Sequence, residues 1–282
     1  MTIQHATTEH GPRDDAILPF TRIVAAAVIP FLIAAFYILY LRPTETAELF
    51  AWHIGAPMTA MYMGAGYLGG AWFFGRALNE RRWHRVAAGF LPVAALTAVM
   101  LAATLLHWDT FDPGHWPFLV WLVIYIVTPV LVPLVWWLNK RHDPGLPEDG
   151  DRVVPPVARR VVLAAGIAML AVAAFLFLRP TAAAELWAWP LTPLTARVMA
   201  AWQALMGVGA LTMSRESRWS GWRIPLQSIM IWQLLAGLAV FLLGDAFGPA
   251  GLLNWFTLYT VAGLTAATAF YLSMERRGRT EV

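Results

Sequence analysis

Five side chains able to hold a metal or move a proton crowd into the first half of the chain: His53, His107, Asp109, Asp112 and His115. Four of them share one run, His107-Trp-Asp109-Thr-Phe-Asp112-Pro-Gly-His115. Two or three imidazoles with one carboxylate make a ligand set for zinc, so His53, His107, Asp109 and His115 form a candidate metal site. The competing reading is a scatter of interfacial polar residues, because the spacing matches no compact metal motif. A second group joins arginine to glutamate. Arg42 is followed by Glu48, and Arg179 by Glu185 at the same interval. Each pair is expected to clasp a short helix to the body of the protein. Ligand binding is the alternative for Arg42, Glu48, Arg179, Glu185 and Arg197, since guanidinium groups hold carboxylates and phosphates.

The elements that position these residues follow from composition. The chain has 282 residues, 59% of them hydrophobic, 13% charged and none cysteine, with a formal net charge of +3. Mean hydropathy is +0.58. A soluble domain carries about 25% charged residues, so an ordinary soluble enzyme, a disordered chain and a nucleic-acid binder are excluded. The lack of cysteine removes disulfides, thiolate catalysis, iron–sulfur clusters and c-type haem attachment. A membrane-crossing helix needs about 20 mostly apolar residues, and eight stretches meet this: 23–41, 57–75, 86–106, 117–138, 161–178, 193–213, 224–243 and 251–273. Period-two alternation is absent, which excludes a β-barrel. The first twenty-two residues lack the features of a signal peptide, so the first span is expected to be retained.

Basic residues set orientation. With both termini in the cytoplasm, seventeen of the 20 Lys and Arg residues face that side, leaving Arg42, Arg179 and Arg197 outside. The expected location is a bacterial-type cytoplasmic (inner) membrane. Lys140, the single lysine, is expected in a loop, which excludes a retinal Schiff base inside a helix.

The sequence also contains itself twice. Leu41-Arg-Pro-Thr-Glu-Thr-Ala-Glu-Leu-Phe-Ala-Trp52 aligns with Leu178-Arg-Pro-Thr-Ala-Ala-Ala-Glu-Leu-Trp-Ala-Trp189. After one deletion the register holds through Pro57-Met-Thr-Ala60 with Pro193-Leu-Thr-Ala196. It continues through Glu80-Arg-Arg-Trp83 with Glu216-Ser-Arg-Trp219, and Asp109-x-Phe111-x-Pro113 with Asp245-x-Phe247-x-Pro249. The expected fold class is therefore an all-α integral membrane protein of eight transmembrane helices. They form two tandem parallel four-helix repeats about a pseudo-two-fold axis along the membrane normal. The expected divisions are a cytoplasmic tail 1–21, repeats 22–138 and 159–274, a cytoplasmic linker 139–158 and a tail 275–282.

Within this frame, Pro43 and Pro180 end spans, and Thr44 or Thr181 is expected to cap a short interfacial helix carrying Leu49, Phe50 and Trp52, or Leu186, Trp187 and Trp189. Asp109 and Asp245 read as turn caps. Gln203, Gln227, Gln233 and Asn254 read as interhelical hydrogen bonds, and the Gly64–Gly70 row as a close helix contact. In the second half the positions matching the three histidines are Pro190, Leu243 and Gly251, so any metal site belongs to the first half alone.

Three function classes remain. The first is a binding or transport module for a small or lipid-like ligand at the cleft between repeats, or an accessory subunit of a membrane complex. The second is a membrane enzyme acting on lipid through the His/Asp set. The third is a scaffold. No cofactor is identified. Membrane lipids, an amphipathic ligand or a protein neighbour are the expected partners, and nucleic acid is not.

Overall fold

The protein is described by a computed structural model covering residues 14–252 and 254–276. Of the expected tails 1–21 and 275–282, residues 1–13 and 277–282, with Arg13, Arg277 and Arg279, lie outside the described residues. The chain is 78% helical and has no strand among the described residues. The long helices are α1 (Pro19–Phe36, continued by a π turn at Tyr37–Leu41), α2 (Pro57–Asn79), α3 (Phe90–Leu106, preceded by a turn at His84–Ala87) and α4 (Trp116–Lys140). They are followed by α5 (Pro156–Leu178), α6 (Pro193–Arg215), α7 (Ser220–Leu242) and α8 (Trp255–Arg276). Short helices at Thr46–Leu49 and Pro180–Leu186 follow α1 and α5.

Proline opens α1, α2, α5 and α6, where its fixed φ suits the first turn and its missing N–H costs nothing. Among the described residues seven helices, all the long ones except α2, are long and apolar enough to cross a membrane, so the chain reads as an all-α multi-pass membrane protein. Helix α2 has the same length as its neighbours, but it is rich in glycine and tyrosine and most of its residues are buried.

Packing explains that burial. Helix α2 packs on α1 and α7, while α3 packs on α4 and α6. Helix α5 lies on α6, and α8 on α7. Thus α2, α3, α6 and α7 form the centre, and α1, α4, α5 and α8 surround it. The glycine row of α2 permits the approach. A Cβ on Gly64 would stand 2.8 Å from Tyr40, and one on Gly69 2.8 Å from the Ser228 carbonyl oxygen. On Gly66 a Cβ would meet the Trp202 ring at 2.3 Å. Each distance is shorter than a side chain tolerates, so glycine is required there.

Helix ends differ from expectation in two places. Lys140 is the last residue of α4, not a loop residue, and its ammonium sits 4.5 Å from the centre of the Trp136 ring. The span beginning near residue 86 is broken at Ala88–Gly89, where the chain turns before α3. Gly89 fits there because a Cβ would fall 2.2 Å from the Phe73 ring.

Candidate functional site

The two ends of the helical bundle are built from different chemistry. At the end holding the α3–α4 and α5–α6 connections, the expected metal ligands do not converge. No group of three or more His, Cys, Asp or Glu able to hold a metal forms among the described residues. Each histidine nitrogen that points inward already has a protein partner. Arg197 Nη1 donates to His107 Nε2 at 2.6 Å, and Arg197 Nε donates to the Phe177 carbonyl at 3.1 Å. Burial pushes the His107 imidazole below its ordinary range, and the Arg197 charge adds to the push. His115 Nε2 lies 2.9 Å from the Phe50 carbonyl, a donor geometry that fixes its tautomer. His53 and Asp109 have no part in this bonding.

The arginine clasps are also rearranged. Arg42 forms its ion pair with Glu45 rather than Glu48, three residues away on the same turn. Arg179 and Glu185 are both exposed and form no ion pair, and Arg197 turns to His107 rather than to Glu185. Thr44 and Thr181 do not cap the short helices, which have no side-chain cap. Thr46 instead accepts a hydrogen bond from the Ile54 amide at 2.9 Å. Asp112, not Asp109, caps the turn, accepting from the Gly114 amide at 2.7 Å.

Several rings expected at the interface are interior. Phe50, Trp52 and Trp189 are buried, and Trp52 packs edge-on to Trp121 and Phe111. Trp189 donates to Thr59 at 2.8 Å, and Trp232 donates to the Tyr62 carbonyl at 3.1 Å. Both bonds join distant parts of the chain.

The opposite end, where basic residues collect, holds a buried polar cluster that sequence reasoning missed. His84 is 2% exposed and Asp15 is 4% exposed. Asp15 Oδ2 faces His84 Nδ1, and Asp15 Oδ1 accepts from the His84 amide at 3.1 Å. On the other ring nitrogen, Nε2, stand Ser220 Oγ at 2.9 Å and Glu148 Oε1 at 2.8 Å. Ser220 in turn donates through its amide and hydroxyl to Asp151.

Asp15, His84 and Ser220 have the types and order of a nucleophilic triad. Three features oppose that role. The Ser220 hydroxyl is committed to Asp151, Glu148 stands beside Nε2, and the backbone amides at the start of α7 are already bonded. The amides of Ser220, Gly221 and Trp222 are bound by Asp151, the Arg218 carbonyl and the Trp219 carbonyl. The cluster is a clamp that draws together the segment before α1, the start of α3, the α4–α5 connection and the start of α7.

Ion pairs extend the clamp. Arg85 bonds Glu148 at 2.6 Å and Glu80 at 3.1 Å. Its hydrogen bond holds the Glu148 carboxyl below its usual range, against the opposing effect of burial. Arg218 pairs with Glu216 at 2.6 Å and Asp143 at 2.9 Å. Burial would raise the Asp143 carboxyl, but the bonds from Arg218 and the Gly145 amide hold it below its ordinary range.

Three cavities bear on function. The cleft between the halves, beside Gly66, Trp202 and Trp232, holds only about 80 Å³. A polar pocket of about 220 Å³ opens at the basic end beside Arg152 and Ser220. The largest, about 450 Å³, lies among α5, α6, α7 and α8. Comparison with family models, curated proteins and solved structures returned no match. The assignment therefore rests on geometry. The large cavity is lined by Ala, Val, Met, Leu and aromatic side chains, with Gln233 and Tyr259 as its polar members. Gln233 is 6% exposed, and its Nε2 reaches the Tyr259 hydroxyl at 3.4 Å while its Oε1 has no partner.

Proposed function

We propose that this protein is an eight-span membrane protein that binds or transports a small amphipathic or lipid-like ligand, seated among α5–α8 rather than in the cleft between repeats. The observation that carries the reading is a cavity of about 450 Å³ with a largely apolar wall, lined also by Gln233, whose buried Oε1 has no partner. Pockets of about 300–1,000 Å³ suit single small molecules. A buried acceptor left unpaired costs about 1–3 kcal/mol, so a ligand with one hydrogen-bond donor, such as a long-chain alcohol, fits both lining and acceptor.

The same proposal includes two tandem four-helix repeats. Recurring bonds support it beside the sequence register. Asp15 receives the His84 amide as Asp151 receives the Ser220 amide. Arg22 donates to the Leu78 carbonyl as Arg159 donates to that of Ser214. Both termini and the 139–158 linker are assigned to the cytoplasmic side of a bacterial-type inner membrane by the placement of basic residues.

Gly263 lines the cavity, and a Cβ there would meet nothing nearer than Gln233 Nε2 at 3.9 Å. Gly263→Phe should therefore fill the space without unfolding the bundle. Mass spectrometry of lipids extracted from purified protein should find an apolar, hydroxyl-bearing molecule retained by wild type and Gly263→Ala and lost from Gly263→Phe. Identical extracts from all three proteins would exclude this cavity as the site.

A further inference from the structure

The repeat register shows what opened the large cavity. In the register that matches Pro57 with Pro193, Phe74 corresponds to Ala210 and Phe90 to Leu226. Phe74 and Phe90 are buried and pack edge-on in the first half, whereas Ala210 and Leu226 line the cavity in the second. Two rings that fill the first half are thus replaced by smaller side chains where the space lies.

The cavity also has a direction. Its wall runs along α7 from Trp222, near the basic end, to Gln233, and along α5 from Ala158 to Met169. The helical rise from Trp222 to Gln233 is about 16 Å at about 1.5 Å per residue, roughly half of a 30 Å hydrocarbon layer. That length suits one alkyl tail whose head lies at the basic end. The cavity shares no lining residue with the polar pocket there.

At that end one guanidinium is only partly used. Arg22 and Arg159 correspond in the register of Leu41 with Leu178. Arg22 donates through both Nη groups, to the carbonyls of Leu78 and Glu80. Arg159 bonds only through Nε, to the Ser214 carbonyl at 2.8 Å. The carbonyl matching that of Glu80 belongs to Glu216, and Trp222 Nε1 takes it at 2.9 Å. Both Nη groups of Arg159 therefore lack a partner among the described residues. Arg159 follows Ala158 and Ser214 follows Met213, and Ala158 and Met213 line the cavity, so the guanidinium stands at its rim. Arg160 and Arg215 beside it are exposed and form no ion pair among the described residues. Glu216 and Glu275, at the ends of α6 and α8, are already held by Arg218 and Arg223.

We propose that the cavity binds a single-chain amphipath with an anionic head, a fatty acid or an alkyl phosphate. The head lies on the free fork of Arg159 and the tail among α5–α8. The inference rests on the cavity reading above and adds to it the charge of the head group. The paired N–H donors of a guanidinium match the oxygens of carboxylate and phosphate.

The full chain, in a sterol-based neutral detergent with no alkyl chain to compete, is incubated with dodecyl phosphate, dodecanoate, dodecanol or inorganic phosphate. Bound probe is counted by native mass spectrometry. Wild type should bind the better anionic alkyl probe at least about tenfold more tightly than dodecanol or inorganic phosphate, the low end of what one charge-assisted hydrogen bond contributes. Arg159→Gln puts an amide nitrogen where Nε stood, so it keeps the Ser214 bond and removes only the charged fork. It should weaken that anionic probe at least about tenfold and leave dodecanol unchanged. Arg81→Gln, which removes an exposed charge from the same end in the other half, should change neither. Gly263→Phe should lose all three alkyl probes. Tighter binding of dodecyl phosphate than of dodecanoate identifies a phosphate ester, and the reverse identifies a fatty acid. Equal binding of dodecanol and both anions by wild type, or anion binding unmoved by Arg159→Gln, overturns the inference. Loss of dodecanol from Gly263→Phe would in that case leave the cavity reading standing. Alkyl-probe binding that Gly263→Phe does not reduce overturns both.

Discussion

The two ends of the bundle use histidine in opposite ways. At the aromatic end, His107 and His115 meet a guanidinium and a carbonyl, with no carboxylate on either ring. At the basic end, His84 lies between the carboxylates of Asp15 and Glu148. The lesson concerns position. The half-buried histidines of a suggestive run, His107 and His115, hold loops in place. The histidine that joins four separate segments carries no local motif.

The largest effect expected from this contrast is at His84. His84→Ala leaves the buried Asp15 carboxylate without its ring partner, and removing one member of a buried pair costs about 3–5 kcal/mol. The melting temperature in detergent should fall by roughly 10 °C, given about 2–4 °C per kcal/mol for a chain of this class. A fall no larger than that of an exposed substitution would end the reading of this cluster as a clamp.

The aromatic end should respond to a smaller change in shape. Trp189→Phe keeps a ring but loses the bond to Thr59 and part of the packing on Phe256 and Phe247. A lost buried hydrogen bond and a small cavity together suggest about 2 kcal/mol, read as a proportionate fall in melting temperature. Trp189→Phe more damaging than His84→Ala would reverse the order of the two ends.

The smallest effect separates the ends by pH. The His107 ring is held below its ordinary value of 6.5, so the unfolded chain takes up the proton first. Its contribution is complete above about that pH and declines as pH falls. Glu148 and Asp143 are held below 4.5 and 3.8, so their contributions persist until pH approaches those values. Melting temperature should therefore fall by roughly 1–2 °C between pH 7 and 5.5 and more steeply below pH 4.5. The first step should vanish in His107→Gln. Its survival there would place the proton elsewhere.

The all-α membrane architecture and the close contact along the glycine row were legible because each follows from local composition or spacing. Gln227 and Gln233 were likewise readable as interhelical bonds, and both reach tyrosines on α8. The candidate site was not. His84 meets Ser220 across 136 residues and Asp15 across 69, and no periodicity encodes such pairings. The tryptophans misled for a related reason. An indole near a span end suits an interface as well as a core, and only the partner helix decides. The location of the large cavity was equally hidden, because it depends on where α5 and α8 sit around α6 and α7.

The Gly66 slot bears on how the protein is made. Synthesis proceeds from the amino terminus, so α2 is made well before Trp202 exists to fill that slot. Until α6 and α7 arrive, the first four helices expose a notch shaped for an indole, which lipid tails fill poorly. The halves are thus built to mature together, and a chain interrupted within the 139–158 connection would rely on the second fragment finding that notch before another membrane helix does.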